Sequence, residues 1–161
     1  MMMMMMMVMI MIMMIRVGVE IDMWSLGCIL AELRSAFPSF AGESNADQIA
    51  CIAEVLGPPP DDIYQRTPYR SEYFDSSTHA LIVRSSPRGK QRVVSSRTMG
   101  QLINARNNDS EFVDFLTSCL TWLAADRMTA SVALNHSWLQ QAKNGSSSSS
   151  VTDNVIEDPA S

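Results

Sequence analysis

Histidine, cysteine and clustered carboxylates are the side chains that most often carry chemistry, and this sequence offers few of them. Its two histidines, His79 and His136, are far apart and have no metal-ligand or catalytic partners at a usual spacing. His136 comes near the end of a predicted helix, where a dipolar group suits the helix C-terminus. His79 lies in a Ser/Thr-rich turn, where we expect it to be exposed.

The three cysteines, Cys28, Cys51 and Cys119, fall inside apolar helical patterns, and no CxxC pair occurs. We expect reduced, buried thiols, which are typical of an intracellular protein. The sequence also lacks the phosphate-binding motifs GxGxxG and GxxxxGK, the zinc motif HExxH and the nucleophile motif GxSxG. It therefore predicts no catalytic, cofactor-binding or metal-binding residue.

A formal net charge of -5 argues against nucleic-acid binding, because phosphate recognition needs clustered Lys and Arg. One short basic run, residues 84–97, lies in a loop-like region and is predicted to be solvated surface. Residues 1–15 contain only Met, Val and Ile, fewer than the roughly 20 apolar residues that span a bilayer, and they lack signal-peptide features. We interpret them as a low-complexity extension, with a membrane anchor as the alternative.

Helices must position any functional residue in this chain. Residues 22–33, DMWSLGCILAEL, are apolar around most of the helical wheel and predict a central helix that is buried on nearly all sides and capped by Asp22. A second helix is predicted from Asn45 as its cap to Leu56, ended by Gly57 and three prolines.

The second half of the sequence predicts two further helices after a long loop. The loop, residues 61–104, has an aromatic knot at Tyr69, Tyr73 and Phe74, and is either an exposed insertion pinned by these rings or a partner-docking segment. The third helix starts at residues 109–110, and the fourth is capped by Thr129 and runs to Leu139. The serine-rich, acidic residues 140–161 predict a flexible tail.

Several motifs together resemble eukaryotic protein kinases. DMWSLGCILAEL resembles the central helix of the kinase C-terminal lobe, and CLTWLAADRMTASVALNHSWL at residues 119–139 resembles its closing segment. ADQIACIAEVLGPPP, YFDSS and RGKQR resemble the dual-specificity tyrosine-phosphorylation-regulated kinases, within the group of cyclin-dependent and mitogen-activated kinases. These kinases carry an insert where this chain has its long loop.

The resemblance implies a mainly α fold: a truncated, helical C-lobe of a protein-kinase-like fold without the N-lobe β-sheet. It implies three parts, namely a Met-rich extension at 1–18, a partial C-lobe at 19–139 with an insert at about 57–104, and a disordered tail at 140–161. It also implies three scaffolding positions. Asp22 would hydrogen-bond the catalytic loop, Trp24 would pack beneath the activation segment, and Arg127 would pair with the glutamate of an Ala-Pro-Glu motif.

The partners of these three residues are expected before residue 20, where the sequence has methionines instead. We therefore expect Asp22 to act as a helix cap rather than as a support for catalysis, and Asp126, Glu32 or water to replace the missing partner of Arg127. We also expect the apolar segment 1–15 to cover a side of the central helix that the missing elements would leave exposed.

By resemblance the activity is ATP-dependent serine/threonine and tyrosine phosphorylation, a transferase reaction with ATP and magnesium as cofactors. Because the glycine-rich loop, the strand lysine and the metal-binding motifs are absent from the sequence, we expect no cofactor and no activity in this chain alone. The alternatives are a noncatalytic module that binds proteins through residues 45–104, or a membrane-attached fragment. The expected location is intracellular, in the cytoplasm or nucleus.

Overall fold

The computed structural model describes residues 18–146, with side chains as far as residue 141. The regular elements in this part of the chain are all helices, apart from one isolated antiparallel bridge between Phe74 and Leu81, and loops connect them. The mainly α prediction is thus confirmed for the described residues. In chain order the helices are α1 (Glu20–Ser35), α2 (Asn45–Leu56), α3 (Asp61–Arg66), α4 (Arg70–Tyr73), α5 (Met99–Leu102), α6 (Ser110–Cys119), α7 (Ala130–Ala133) and α8 (Ser137–Ser146), with a 3₁₀ turn at Ala124–Asp126.

Helix α1 lies at the centre and packs against α6 and the 3₁₀ turn. Gly27 makes this contact close, because a Cβ atom built there would lie only 2.9 Å from Cγ of Leu120. Helix α6 turns its own apolar face toward the same core and also contacts α5 and α8. The buried face of α1 consists of Met23, Trp24, Gly27, Cys28, Ala31 and Ser35.

The start of α1 and its burial differ from the prediction. The helix begins at Glu20 after Val19, so Asp22 lies inside the first turn rather than at the cap. Its negative charge still interacts favourably with the positive end of the helix dipole there. The opposite face is open, since Leu26, Ile29 and Leu33 are 37%, 40% and 76% exposed. Burial on nearly all sides was therefore wrong for the described residues, because no described element covers this face.

Helix α2 matches its prediction apart from a shift of one residue at the cap. Ser44, not Asn45, is the N-cap, and its side chain accepts a hydrogen bond from the backbone N–H of Asp47. Gly57 ends the helix with φ +81°, a conformation that glycine adopts without a side-chain clash. The long loop that follows contains three short helices, and Tyr73 and Phe74 of the predicted aromatic knot are buried.

The predicted fourth helix is two helices. Thr129 caps α7 as expected, accepting a hydrogen bond from Val132 N–H, but α7 ends at Ala133. His136 then lies before α8, and its Nδ1 accepts a hydrogen bond from the backbone N–H of Trp138. His136 therefore accepts a hydrogen bond at the N-terminal end of α8 and does not lie at the C-terminal end of a helix, as was predicted. Local side-chain bonds of this kind compete with a continuous helix.

Two of the predicted parts lie largely outside the described residues. The extension at 1–18 is described only at Gly18, and the tail only as far as residue 146, where α8 ends. No described helix is long and apolar enough to cross a membrane.

Candidate functional site

Trp24 and Arg127 form a buried pair at the base of α1. The Arg127 Cζ atom lies 5.2 Å from the centre of the Trp24 ring, which is a cation–π distance. Trp24 also stacks on Phe40, with the ring centres 6.2 Å apart. Sequence resemblance had singled out both residues, and the fold brings them together although 103 positions separate them along the sequence.

Arg127 has no carboxylate partner among the described residues. Its Nη1 donates to the backbone carbonyl of Glu20 at 2.7 Å and its Nη2 to that of Thr121 at 2.9 Å. Of the three predicted substitutes, neither Asp126 nor Glu32 pairs with it, and water stays a prediction; Asp126 is exposed, and Glu32 accepts from the Ser39 backbone N–H. Carbonyl oxygens carry only partial charge, so the guanidinium is solvated by dipoles instead of by an opposite ion.

The pKa of Arg127 reflects the lack of a carboxylate partner among the described residues. Burial lowers the pKa of Arg127 from its ordinary value, and the nearby groups Cys28, Glu20 and Cys119 only partly oppose the effect. Two donors in the pair, Nε of Arg127 and Nε1 of Trp24, are buried and have no hydrogen-bond partner within the described part of the chain. Buried unpaired donors are uncommon in folded proteins because their desolvation is not compensated.

Asp22, the third residue implied by resemblance, does not join this pair. It is exposed on the first turn of α1. The structure thus gathers two of the three predicted positions and leaves the third at the surface.

A second buried arginine, Arg92, was missed by sequence reasoning. It belongs to the basic run at 84–97 that was predicted to be solvated surface, and for Arg92 that prediction was wrong. Its guanidinium binds both oxygens of Asp47, with Nε 2.5 Å from Oδ1 and Nη2 3.2 Å from Oδ2. Its Nη1 donates to Glu54 at 3.1 Å and its Nη2 to the carbonyl of Ala41 at 3.4 Å. The insert is therefore anchored to α2.

Within this ion-pair network of Arg92 with Asp47 and Glu54, the pKa values of Arg92 and Asp47 are shifted. The hydrogen bond to Asp47 raises the pKa of Arg92, and this outweighs the opposing effect of burial. Burial acts to raise the pKa of Asp47, but hydrogen bonds from Arg92 and the Glu43 backbone, with the charge of Arg92, hold it below its ordinary value. Both shifts favour the charged forms of Arg92 and Asp47. The signal in the sequence was the pair of acidic residues Asp47 and Glu54, which lie on one face of the apolar helix α2.

The histidines have structural contacts. His79, predicted to be exposed, is half-buried and stacks on Tyr64 with the ring centres 3.9 Å apart. Nε2 of His136 lies 3.1 Å from Asp114 Oδ2 while its Nδ1 accepts the bond in α8, which assigns the ring proton to Nε2. Neither ring faces a nucleophile or a second histidine among the described residues.

The cysteines are free and buried, as predicted. Burial raises the pKa of Cys51 to about 12 and that of Cys119 to about 11, and it raises that of Cys28 further. All three are therefore protonated near neutral pH and are poor nucleophiles. In the described part of the chain no group of three or more His, Cys, Asp or Glu side chains is arranged to hold a metal ion.

A groove of about 600 Å³ lies between the C-terminal end of α2, the insert and α6. Its floor is apolar, with Leu56, Leu120 and Trp122, and Arg97 and Asp126 also line it. Trp122 is held in place by a hydrogen bond from its Nε1 to the carbonyl of Gly57 at 3.1 Å. The groove includes part of the 45–104 segment that was predicted to dock partners.

Comparison with known proteins identifies the fold and the family. A family model described as "Protein kinase domain" matches residues 11–139. The chain belongs to the protein kinase family. This kinase chain also aligns with a MAP kinase from Leishmania major at a TM-score of 0.60 and 22% identity, over 81% of this chain and 35% of that one. The likeness of fold confirms the prediction of a helical C-lobe without an N-lobe sheet for the described residues.

Curated relatives place the kinase resemblance more finely. Dual specificity tyrosine-phosphorylation-regulated kinase 4 of Homo sapiens is 43% identical over 126 residues, covering 78% of this chain and 24% of that protein. Dual specificity tyrosine-phosphorylation-regulated kinase 2 of Drosophila melanogaster is 42% identical over 76% of this chain and 17% of its own length. The predicted resemblance to this kinase family is confirmed, and the chain spans a quarter or less of these relatives.

Proposed function

We propose that this chain is a scaffolding part of a dual-specificity kinase, acting on serine/threonine and tyrosine, and that it does not transfer phosphate by itself. The observation that carries the proposal is the Trp24–Arg127 pair. Among the described residues it has two unpaired buried donors and a cation that contacts two carbonyls and an indole ring but no carboxylate, so it is suited to receive a further, acidic segment of a kinase domain. By family resemblance that segment is the Ala-Pro-Glu closure for Arg127 and the activation segment for Trp24.

Asp22 fits the same proposal as a residue that would bind a further segment of a kinase domain. It is exposed at the start of α1, where a carboxylate can accept backbone N–H groups from a neighbouring loop. In the family resemblance this loop is the catalytic loop. The three positions are therefore proposed as supports for catalytic elements and not as catalytic residues.

ATP and magnesium do not fit the described residues, so no step of phosphoryl transfer is assigned to them. Such transfer depends on a phosphate-cradling loop, a lysine and metal-binding carboxylates placed together. The described carboxylates are not grouped for a metal ion, and the large groove has an apolar floor. The proposal is that these cofactors serve the family and not this chain.

A nucleotide-binding titration tests the proposal. The full chain is titrated with ATP and magnesium in a calorimeter, with the human relative named above as a positive control under the same conditions. No saturable heat is expected for this chain, and incubation with labelled ATP should leave it and a generic protein substrate unlabelled. Saturable binding or transfer of label would overturn the proposal.

The alternative function is a noncatalytic protein-binding module that uses residues 45–104, within an intracellular location. The groove beside α2 supports it, because a concave apolar surface is the usual form of a docking site. Leu56→Glu, which places a charge in the groove, should abolish capture of partner proteins in a pull-down. Leu134→Glu, at an exposed leucine outside the groove, is the matched control and should leave capture unchanged. Capture that survives Leu56→Glu would exclude this surface.

A further inference from the structure

A small cavity of about 90 Å³ lies where three parts of the chain meet. The loop after α1 contributes Ser39, α2 contributes Glu54, and the insert contributes Lys90, Arg92 and Arg97. The cavity is separate from the Trp24–Arg127 pair and from the larger groove as a space, although Arg97 lines both the cavity and the groove. At about 30 Å³ per water molecule it has room for about three waters, far less than a nucleotide needs.

The lining of this cavity carries an excess of positive charge. Three of its side chains are cationic and one, Glu54, is anionic. Glu54 and Asp47 neutralise Arg92, but Lys90 has no ion pair within the described part of the chain. Arg97 donates its Nη2 only to the backbone carbonyls of Gln101 and Leu102, at 3.2 and 3.4 Å. Two cations thus remain without a counter-ion.

Ser39 supplies an independent sign of a missing ligand. The residue is only 7% exposed, and its hydroxyl oxygen is buried without a hydrogen-bond partner among the described residues. Its backbone N–H is already satisfied by Glu32. A buried hydroxyl that makes no hydrogen bond is costly, and an oxygen atom that accepts a hydrogen bond from Ser39 would relieve that cost.

We propose that this cavity binds a phosphate group, either as free inorganic phosphate or on a phosphorylated side chain. A phosphate group is compact and offers several acceptor oxygens to the two uncompensated cations and the Ser39 hydroxyl. The carboxylate of Glu54 lines the same space, but it is engaged by Arg92 at 3.1 Å. Binding would join the insert to the loop after α1 and does not depend on the proposed kinase role.

Calorimetric titration of the full chain with inorganic phosphate, at constant ionic strength set by sodium chloride, tests the site. Saturable binding is expected. Lys90→Gln and Ser39→Ala should each weaken it by about tenfold, the usual effect of losing one hydrogen bond to a charged group. Arg84→Gln is the matched control, since Arg84 is an exposed cation of the same basic run that does not line the cavity.

A second titration distinguishes the two sources of phosphate. The probe is a peptide with the sequence of residues 146–158, phosphorylated at the position of Ser150, with its unphosphorylated form as the control. Tighter binding of the phosphopeptide than of inorganic phosphate supports a phosphorylated side chain, and binding of inorganic phosphate alone supports the free ion. Absence of saturable binding by both probes, or an equal loss in Arg84→Gln, would overturn the proposal. Lys90 is exposed, so its variant will fold even if Ser39→Ala does not.

Discussion

Arg92 and Arg127 are both buried, yet they are stabilised in different ways. Arg92 has two carboxylates within hydrogen-bond distance, and its pKa is raised. Arg127 has two carbonyls and an indole ring, and its pKa is lowered. The charge of Arg92 is thus neutralised by carboxylates of the described chain, whereas the charge of Arg127 is not.

The difference teaches which part of this kinase fold is self-contained. Arg92 of the insert meets the carboxylates of Asp47 and Glu54 on α2, so this ion pair needs no further segment. The base of α1 holds a cation, two unpaired donors and, along the same helix, an exposed apolar face. This is the region for which we propose a further segment as partner, and the following experiments test the contrast from the largest expected effect to the smallest.

Arg92→Met should give the largest loss of stability. The change leaves Asp47 as a buried carboxylate without its cation, and breaking a buried ion pair from one side costs about 3–5 kcal/mol. Urea unfolding followed by circular dichroism measures the free energy of unfolding. Arg88→Gln, at an exposed arginine of the same run, is the control and should change little. Equal effects of the two variants would contradict a structural role for the Arg92 network.

Arg127→Met should cost less, about 1–3 kcal/mol in the same assay. The variant loses two hydrogen bonds to carbonyls and the contact with Trp24, but it also removes the unfavourable burial of an unpaired charge. A loss as large as that of Arg92→Met would show that the carbonyls and the ring satisfy Arg127 fully, and the contrast between the two regions would then fail.

Acid should affect the two regions differently. The pKa of Asp47 is lowered in the folded chain, so its contribution is complete above the unfolded pKa of about 3.9 and is lost as the pH falls through the folded value. Stability should therefore decline below about pH 4, and Asp47→Asn should reduce this decline. Asp75 and Asp109, whose pKa values are also lowered, account for the remainder.

Arg127 provides the matched control for the pH experiment. Its guanidinium stays charged throughout the acid range, so Arg127→Met should leave the slope of unfolding free energy against pH unchanged between pH 5 and 2. Unfolding is measured in urea at each pH. If Arg127→Met changed this slope and Asp47→Asn did not, the result would be inconsistent with the assigned network.

Deletion of residues 1–15 should have the smallest effect, a decrease of a few degrees in Tm. The segment lies outside the described residues, and the prediction rests on its apolar composition and on the exposed Leu26, Ile29 and Leu33 beside it in sequence. Differential scanning calorimetry measures the change, with deletion of residues 150–161 as the control. An unchanged or higher Tm would show that these methionines do not cover α1.

Local sequence signals were sufficient wherever a short range of residues decides the structure. Gly57 ends α2 because glycine can adopt a positive φ, and a side-chain oxygen caps the start of the helix one residue before the predicted Asn45, at Ser44. Both effects act within one turn. The start of α6, the cap of α7 by Thr129 and the burial of the cysteines followed in the same way. The kinase motifs also lie within continuous stretches, so resemblance found them.

Contacts between distant segments decided the rest. The position of His136 before α8 and the open face of α1 depend on what packs nearby, which a helical wheel does not contain. The clearest case is the pair of buried arginines. By itself the sequence determined the helical class and the kinase family, but only the tertiary structure placed Asp47 against Arg92 and left Arg127 with carbonyls. An ion pair requires two charges to meet within a few ångströms, and their separation along the chain does not set that distance.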